Sequence, residues 1–255
     1  MILNKFPVIP NHFIIATKAY KPQTDLLEKE DLRATFSCLK EWEEHKEPAG
    51  SRRLFAFFNS GEHSGASQPH RHLQFLPVEN MIQENDAQNW RPLIDGLLDT
   101  PVPGASGNRK RYRLPFAHFA VSLPPDPSAI ELHGLYLSLY RMAVKAAYQY
   151  AGSTLNNLEH EAEKTEGPAV ISYNLAMTTS AMMICPRRSE SAWIPLKPEL
   201  RTDVVDIGLV KLNGTILAGT LMVKAEVEWN ELRNQPTMLD HILETVGIPL
   251  PRAQI

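Results

Sequence analysis

Arg53-Leu54-Phe55-Ala56-Phe57-Phe58, then Asn59-Ser60-Gly61-Glu62-His63-Ser64-Gly65-Ala66-Ser67-Gln68-Pro69, then His70-Arg71-His72-Leu73-Gln74-Phe75-Leu76-Pro77-Val78 is the stretch that decides the fold. Two apolar runs of strand length flank a loop of small and polar residues, the pattern of antiparallel neighbours that turn back on each other. In an extended chain alternate side chains share a face, so His70, His72 and Gln74 point one way while Leu73 and Phe75 point the other. The second set can enter a core. The first aligns two imidazoles and an amide beside a loop whose backbone N–H groups suit an anionic phosphate.

Working outward, residues 1–9 form an apolar strand-like run, and residues 12–17 read as a second short strand. Leu32, Phe36 and Leu39 recur at helical spacing within residues 30–44. Trp90, Leu93, Ile94 and Leu97 predict a short helix beginning near Ala87. Residues 100–113 are expected to loop and residues 114–123 to form a strand. Ser128 with Glu131 has the form of a capping box, opening a long helix through Leu135, Leu139, Met142 and Ala146 to Gly152. The acidic residues 156–167 read as a solvated loop between two halves, 1–155 and 156–255. Residues 170–177 and 182–184 predict a hairpin around Thr178-Thr179-Ser180, and residues 204–212 and 215–223 another, with Asn213-Gly214 as its turn. A last helix at 238–246 closes at Gly247 and Pro249. Strands and helices mix without βαβ alternation and without internal repeats, so the expected class is α+β with antiparallel sheets.

The chain has 255 residues, 43% hydrophobic and 22% charged, with 26 Lys+Arg against 29 Asp+Glu and a net charge of −3. That mix predicts a soluble globular chain, long enough for one large domain or two small ones. A general nucleic-acid binder needs a basic surplus that is missing here, and no apolar run reaches the ~20 residues of a membrane span. Cys38 and Cys185 are too few for a disulfide framework or a thiolate cage, so a cytoplasmic or nuclear compartment is expected.

An imidazole is a competent phosphorus nucleophile near neutral pH, because an unperturbed pKa of ~6.5 leaves much of it neutral. The same spacing also fits a pair of exposed strand histidines, or two zinc ligands, with His63 or Glu62 the nearest candidates for a third. Asn59 and Gly61 equally suit the turn after a strand, and Lys224 a solvated strand end. Arg109-Lys110-Arg111-Tyr112-Arg113 reads as a solvated loop rather than a guide for polyphosphate or RNA. His118 reads as a satisfied core histidine.

Several ordered motifs together resemble the histidine-triad superfamily: Asn4-Lys5-Phe6-Pro7-Val8 with Pro10 and His12, Asn59-Ser60-Gly61, Gly65-Ala66-Ser67-Gln68, and His70-Arg71-His72-Leu73-Gln74. Gln74 in the place of a third histidine resembles the nucleotidyltransferase branch. Within it the chain is similar to the fungal-type diadenosine tetraphosphate phosphorylases, also called ATP adenylyltransferases. The likeness continues at Ser172-Tyr173-Asn174-Leu175, at Met182-Met183-Ile184-Cys185-Pro186-Arg187, and from Asn213 to Lys224.

The resemblance implies a histidine-triad-like antiparallel sheet with flanking helices, whose two halves form one nucleotide site. It also implies that His72 takes an adenylyl group from a diadenosine polyphosphate, releasing ATP, and that inorganic phosphate carries the group away as ADP. Carried over by position, His70 supports the nucleophile and Gln74 holds the phosphoryl oxygens. Asn59, Gly65, Ala66, Ser67 and Gln68 bind phosphates, and Asn4 and Lys5 touch the nucleotide. Asn213, Gly214, Thr215, Thr220 and Lys224 contribute from the C-terminal half. No tightly held cofactor and no protein metal site is implied; any divalent cation rides on the polyphosphate. The implied partners are diadenosine polyphosphates, ATP, ADP and inorganic phosphate, with no nucleic acid or membrane, while the oligomeric state stays open.

The family pattern carries a further segment before the strand equivalent to residues 1–9, supplying strands and a phosphate-contacting lysine. The chain is therefore expected to be short at its N-terminus, with a sheet edge uncovered. Two other functions fit the same motifs: a nucleotide-binding protein with little turnover, and an enzyme like hexose-1-phosphate uridylyltransferase, which shares the His-x-His-x-Gln order.

Overall fold

The computed structural model describes residues 1–5, 7–45, 52–82, 90–98, 114–152, 163–196 and 206–250. Its centre is strand β3 (Leu54–Ser60), buried at every position. Leu54, Ala56 and Phe58 join one core and Phe55 and Phe57 a second, as expected of a strand covered on both faces. The other strands of the main sheet are β1 (Ile2–Leu3), β2 (Phe13–Ala16), β4 (His72–Pro77), β5 (Phe119–Ser122), β6 (Ser172–Met177) and β7 (Ala181–Arg187). They stand in the order β1-β2-β4-β3-β6-β7-β5, with every neighbouring pair antiparallel. The expected α+β class with antiparallel pairing is borne out.

Helices α1 (Lys29–Glu44) and α3 (Ala129–Tyr150) cover one face. The predicted capping box starts α3: Ser128 Oγ accepts from Glu131 N at 3.2 Å, and the Glu131 carboxylate accepts from Ser128 N at 2.8 Å. The helix buries Tyr136 and Tyr140 against the sheet, where the hydroxyls of Tyr136 and Tyr173 lie 2.7 Å apart. The opposite face carries α2 (Leu93–Leu98), the two-stranded ribbon β8 (Ser191–Trp193) and β9 (Leu209–Lys211), a 3-10 turn (Gly214–Ala218) and α5 (Thr237–Val246), with α4 (Glu226–Asn234) between the last two.

Three sequence expectations change. Asn213-Gly214 is not a hairpin turn. Strand β9 pairs with β8 instead, and Asn213 Oδ1 accepts from Thr215 N at 3.0 Å, capping the 3-10 turn. The cause is tertiary: a Cβ on Gly214 would lie 2.8 Å from Phe57 Cδ2 and 3.0 Å from Asn59 Oδ1, so the segment is pressed onto β3 and only glycine fits. Among the described residues of 1–9 the strand is Ile2–Leu3, extended by Asn4 N donating to His12 O at 3.0 Å, and Pro7 and Pro10 offer no N–H to a ladder. Of residues 114–123 only Phe119–Ser122 joins the sheet, Phe116 forming a lone bridge to Pro249. Ala87, the loop 100–113 with its basic cluster, residues 156–162 of the acidic stretch, and residues 204 and 205 lie outside the described residues.

A buried polar chain ties the C-terminal segments to β3. Arg187, 5% exposed, donates to Asn174 Oδ1, to Ser189 O at 2.8 Å, to Leu212 O at 3.0 Å and to Val246 O at 3.2 Å. Burial pulls its pKa down to about 10. Asn174 passes the chain on, donating to Asn59 Oδ1 and to Ser64 O, each at 2.9 Å. Arg187→Met strands those buried acceptors and is expected to cost about 3 kcal/mol of stability. Arg188→Met, which loses an exposed stacking contact 4.6 Å from the Tyr150 ring, is expected to cost under about 1 kcal/mol. The two midpoints in urea unfolding check the contrast.

Candidate active site

Strand β4 enters the sheet at His72, whose side chain lies beneath the surface. Its Nδ1 is 2.8 Å from His70 O. A carbonyl oxygen only accepts, so Nδ1 carries a proton, and in the neutral ring the lone pair is on Nε2. The orienting group is thus the main chain of His70. The His70 ring turns toward residues 17–20: its Nε2 lies 3.0 Å from Thr17 Oγ1 and 3.2 Å from Ala19 O, and the ring tilts against Tyr20 with centroids 5.5 Å apart.

Gln74, two residues along β4 and paired with Phe57 on one side and Ile14 on the other, opens into a cleft of about 200 Å³. Asn4, His12, Phe57, Asn213 and Thr215 also line it. The structure therefore brings Asn4, Gln74, Asn213 and Thr215 to one place, although the sequence spreads them from end to end.

Asn59 is wholly buried on the same side of the sheet. Its Oδ1 accepts from Asn174 Nδ2 and from Gly214 N, each at 2.9 Å, while its Nδ2 has no hydrogen-bond partner among the described residues. The loop after β3 rises through a 3-10 turn (Glu62–Ser64) to Gly65, whose φ of +76° a side chain would strain. A Cβ on Gly65 would also meet Leu212 O at 2.6 Å, so this loop rests directly on the segment that carries Asn213 and Gly214. Ala66 is half-buried, and Ser67, Gln68 and Lys5 are exposed. Thr220 and Lys224 do not line the cleft: Thr220 N donates to Thr215 O at 3.2 Å, and the exposed Lys224 ammonium donates to Asp206 O.

Three residues near the site were not singled out by sequence reasoning. Arg71, 1% exposed, turns away from His72 into a pocket under α1, where Nη1 meets Asp31 at 2.8 Å and Glu28 at 3.0 Å and Nη2 donates to Leu26 O at 3.1 Å. Lys21 foremost, with Arg71, holds the Glu28 carboxyl below its usual range. Gln23 lies buried beside His72. His12 faces the cleft with Nδ1 2.9 Å from Asn4 Nδ2. The Asn4 to His12 motif contained its only sequence signal, and its place outside the His-x-His strand hid it.

A buried imidazole thus stands at the lip of an antiparallel sheet, beside a glycine-bent loop and a cleft lined by amides. Residues 1–95 match the family model for the Ap4A phosphorylase N-terminal domain, and residues 112–249 match that for the ATP adenylyltransferase C-terminal domain. The chain therefore belongs to the Ap4A phosphorylase (ATP adenylyltransferase) family, and is a nucleotidyltransferase. It is 26% identical over 263 residues to diadenosine 5',5'''-P1,P4-tetraphosphate phosphorylase 2 of Saccharomyces cerevisiae, covering 98% of this chain and 69% of that protein. Protein APA1 of the same yeast is 26% identical over 252 residues, covering 98% and 68%. The crystal structure of yeast Ap4A phosphorylase Apa2 superposes with a TM-score of 0.71 at 25% identity, over 97% of this chain and 73% of that one. Apa2 in complex with Ap4A gives a TM-score of 0.65 at 24% identity, over 97% and 72%.

Burial foremost holds His12 below its ordinary pKa of 6.5; the Gln74 side chain opposes this and the neighbouring His72 adds to it. The folded chain thus resists a proton that the unfolded chain accepts, so stability is full above pH 6.5 and falls as pH drops below it. His133, lowered first by burial, acts in the same sense. His12→Gln is expected to make the loss of Tm between about pH 7 and 5.5 shallower without abolishing it, as thermal melts across that range would register.

Proposed function

We propose that the chain cleaves diadenosine tetraphosphate with inorganic phosphate, giving ADP and ATP, through an adenylyl group carried on His72. The hydrogen bond from His72 Nδ1 to His70 O carries the proposal, because it leaves Nε2 as a bare lone pair on the face that also presents Gln74. In the first displacement Nε2 bonds to the α-phosphorus as the bond from that phosphorus to its bridging oxygen breaks, and ATP leaves with that oxygen. In the second, an oxygen of inorganic phosphate attacks the same phosphorus, the N–P bond breaks, and ADP leaves. Splitting one displacement into two suits a nucleophile that is also a good leaving group.

The remaining residues supply fixed dipoles. The His70 carbonyl stabilises the positive ring that forms when Nε2 is adenylylated. The carboxamide of Gln74 donates to phosphoryl oxygens but does not titrate, so it activates water poorly and favours an acceptor that arrives already ionised. Asn59 Nδ2, buried without a partner among the described residues, is a donor held in reserve for a phosphate oxygen. Residues 65–68 offer main-chain N–H groups to the rest of the polyphosphate, and Asn4, Asn213 and Thr215 flank the nucleotide from the cleft wall. A divalent cation belongs on the polyphosphate, in keeping with a cleft that no Asp or Glu among the described residues lines. One yeast relative is named a diadenosine tetraphosphate phosphorylase, and the superposed yeast structure an Ap4A phosphorylase.

Incubation with diadenosine tetraphosphate and phosphate is expected to give ADP and ATP in equal amounts, with an acid-labile adenylyl-protein at intermediate times. His72→Ala is expected to lower the rate by roughly 10³-fold or more and to remove the labelled protein. Nucleotide binding without either product would sink the proposal, and AMP with ATP in the absence of phosphate would replace it with hydrolysis.

A further inference from the structure

The ladder between β3 and β4 stops two residue pairs short of the nucleophile. Phe57 pairs with Gln74, and the next rung of the same kind would join Asn59 to His72, but those two residues do not pair. The side chain of Gln23 stands between them. Its Nε2 donates to Asn59 O at 2.8 Å and to His72 O at 3.2 Å, and its Oε1 accepts from His72 N at 2.8 Å. A single carboxamide thus satisfies both main-chain groups of His72 and the Asn59 carbonyl that would have faced it. Gln23 is itself fixed: it is 3% exposed, its own N donates to Pro69 O at 2.8 Å, and the adjoining Pro22 bridges His70.

We infer that Gln23 is a positioning residue for the transfer step, a wedge that holds β4 away from β3 at His72 and so aims the imidazole. The inference rests on the proposed role of His72 as nucleophile. A direct rung would draw the His72 main chain against Asn59 at ladder spacing. The inserted amide sets it back by the width of one side chain, and keeps the His70 carbonyl within reach of Nδ1. Only a neutral carboxamide of this length both donates twice and accepts once. A carboxylate at this position loses the two donors and faces two carbonyl oxygens, and a shorter amide cannot reach both strands.

Gln23→Met keeps the volume and removes all three bonds, so it separates aiming from packing. Displacement of a reacting group by about 1 Å can cost ~10²-fold in rate. The single-turnover rate of adenylyl-enzyme formation is therefore expected to fall by roughly 10²-fold in Gln23→Met, with KM for diadenosine tetraphosphate within about twofold of the unmodified chain. A second measurement needs no turnover. In spectra of protein labelled with ¹⁵N-histidine, assigned by difference against His72→Ala, the His72 ring is expected to pass from a single Nδ1–H tautomer to a mixture. An unchanged rate per folded molecule with an unchanged His72 spectrum overturns the inference, as does a loss confined to Tm. If the unmodified chain forms no adenylyl-enzyme, the proposed reaction fails, and the spectrum alone then decides the role of Gln23: a retained tautomer in Gln23→Met refutes it.

Discussion

The side-chain amide of Asn174 is the joint on which the molecule depends. It is wholly buried, accepts from Arg187, and donates to both Asn59 and Ser64. Each contact reaches a different part of the chain: the end of β7, the end of β3 and the loop that follows it. A hydrophobic core tolerates small slips between its layers, because contact energy varies smoothly with position. A buried amide does not, since each donor or acceptor left unmatched costs on the order of 1–3 kcal/mol. The C-terminal segments therefore seat on the sheet in one register, and that register carries Gly214 onto β3.

The same constraint explains why the face that carries His72 and Gln74 is open. Helices α1 and α3 seal the other face with a continuous apolar core. On the Phe55 and Phe57 side the cover is assembled from the β8–β9 ribbon, the 3-10 turn and α5, which fit against one another as well as against the sheet. Where the turn meets β3 the fit is close enough to demand glycine, and where it passes beside Gln74 it leaves the cleft. His72 lies at the end of this face, where β3 and β4 have parted around Gln23. The placement of His72, of the loop and of the cleft are thus three consequences of how one strand pair ends.

Much of this was legible in the residues. The alternation of β4 placed His72 and Gln74 together, the Ser128 and Glu131 pair marked the start of α3, periodicity found α1 because it repeats an apolar contact every three or four residues, and Gly247 with Pro249 marked the end of α5. What stayed hidden depends on distance along the chain. Asn213-Gly214 carries the same local signature whether it turns a hairpin or caps a 3-10 turn, and only the approach of Phe57 and Asn59 chooses between them. Gln23 has no periodic or motif signal at all, since its three hydrogen bonds reach residues 36 and 49 positions away. Arg71 sits between two histidines that suggest surface chemistry, yet its side chain runs inward to Asp31, a partner that no short window contains. The ring of His70 is the converse case: its sequence position is that of a site residue, and its main chain is what touches His72.

The electrostatics of the cleft follow from the same economy of parts. No Lys, Arg, Asp or Glu among the described residues lines it, and His12 is held uncharged by burial near neutral pH. The chain as a whole bears a net charge of −3, so it offers a polyphosphate no general attraction. An anion entering such a site gives up its hydration for amide and hydroxyl dipoles already pointed at it, which exact little reorganisation during reaction but act only over short distances. Binding then depends on how many oxygens reach donors at once. In the proposed reaction, a long polyphosphate that threads the loop at Gly65 while its nucleoside meets Asn4 and Asn213 engages both halves of the chain together, whereas a short phosphate engages one. On that proposal the buried amide joint that fixes the register of those halves also fixes the length of anion that can span them.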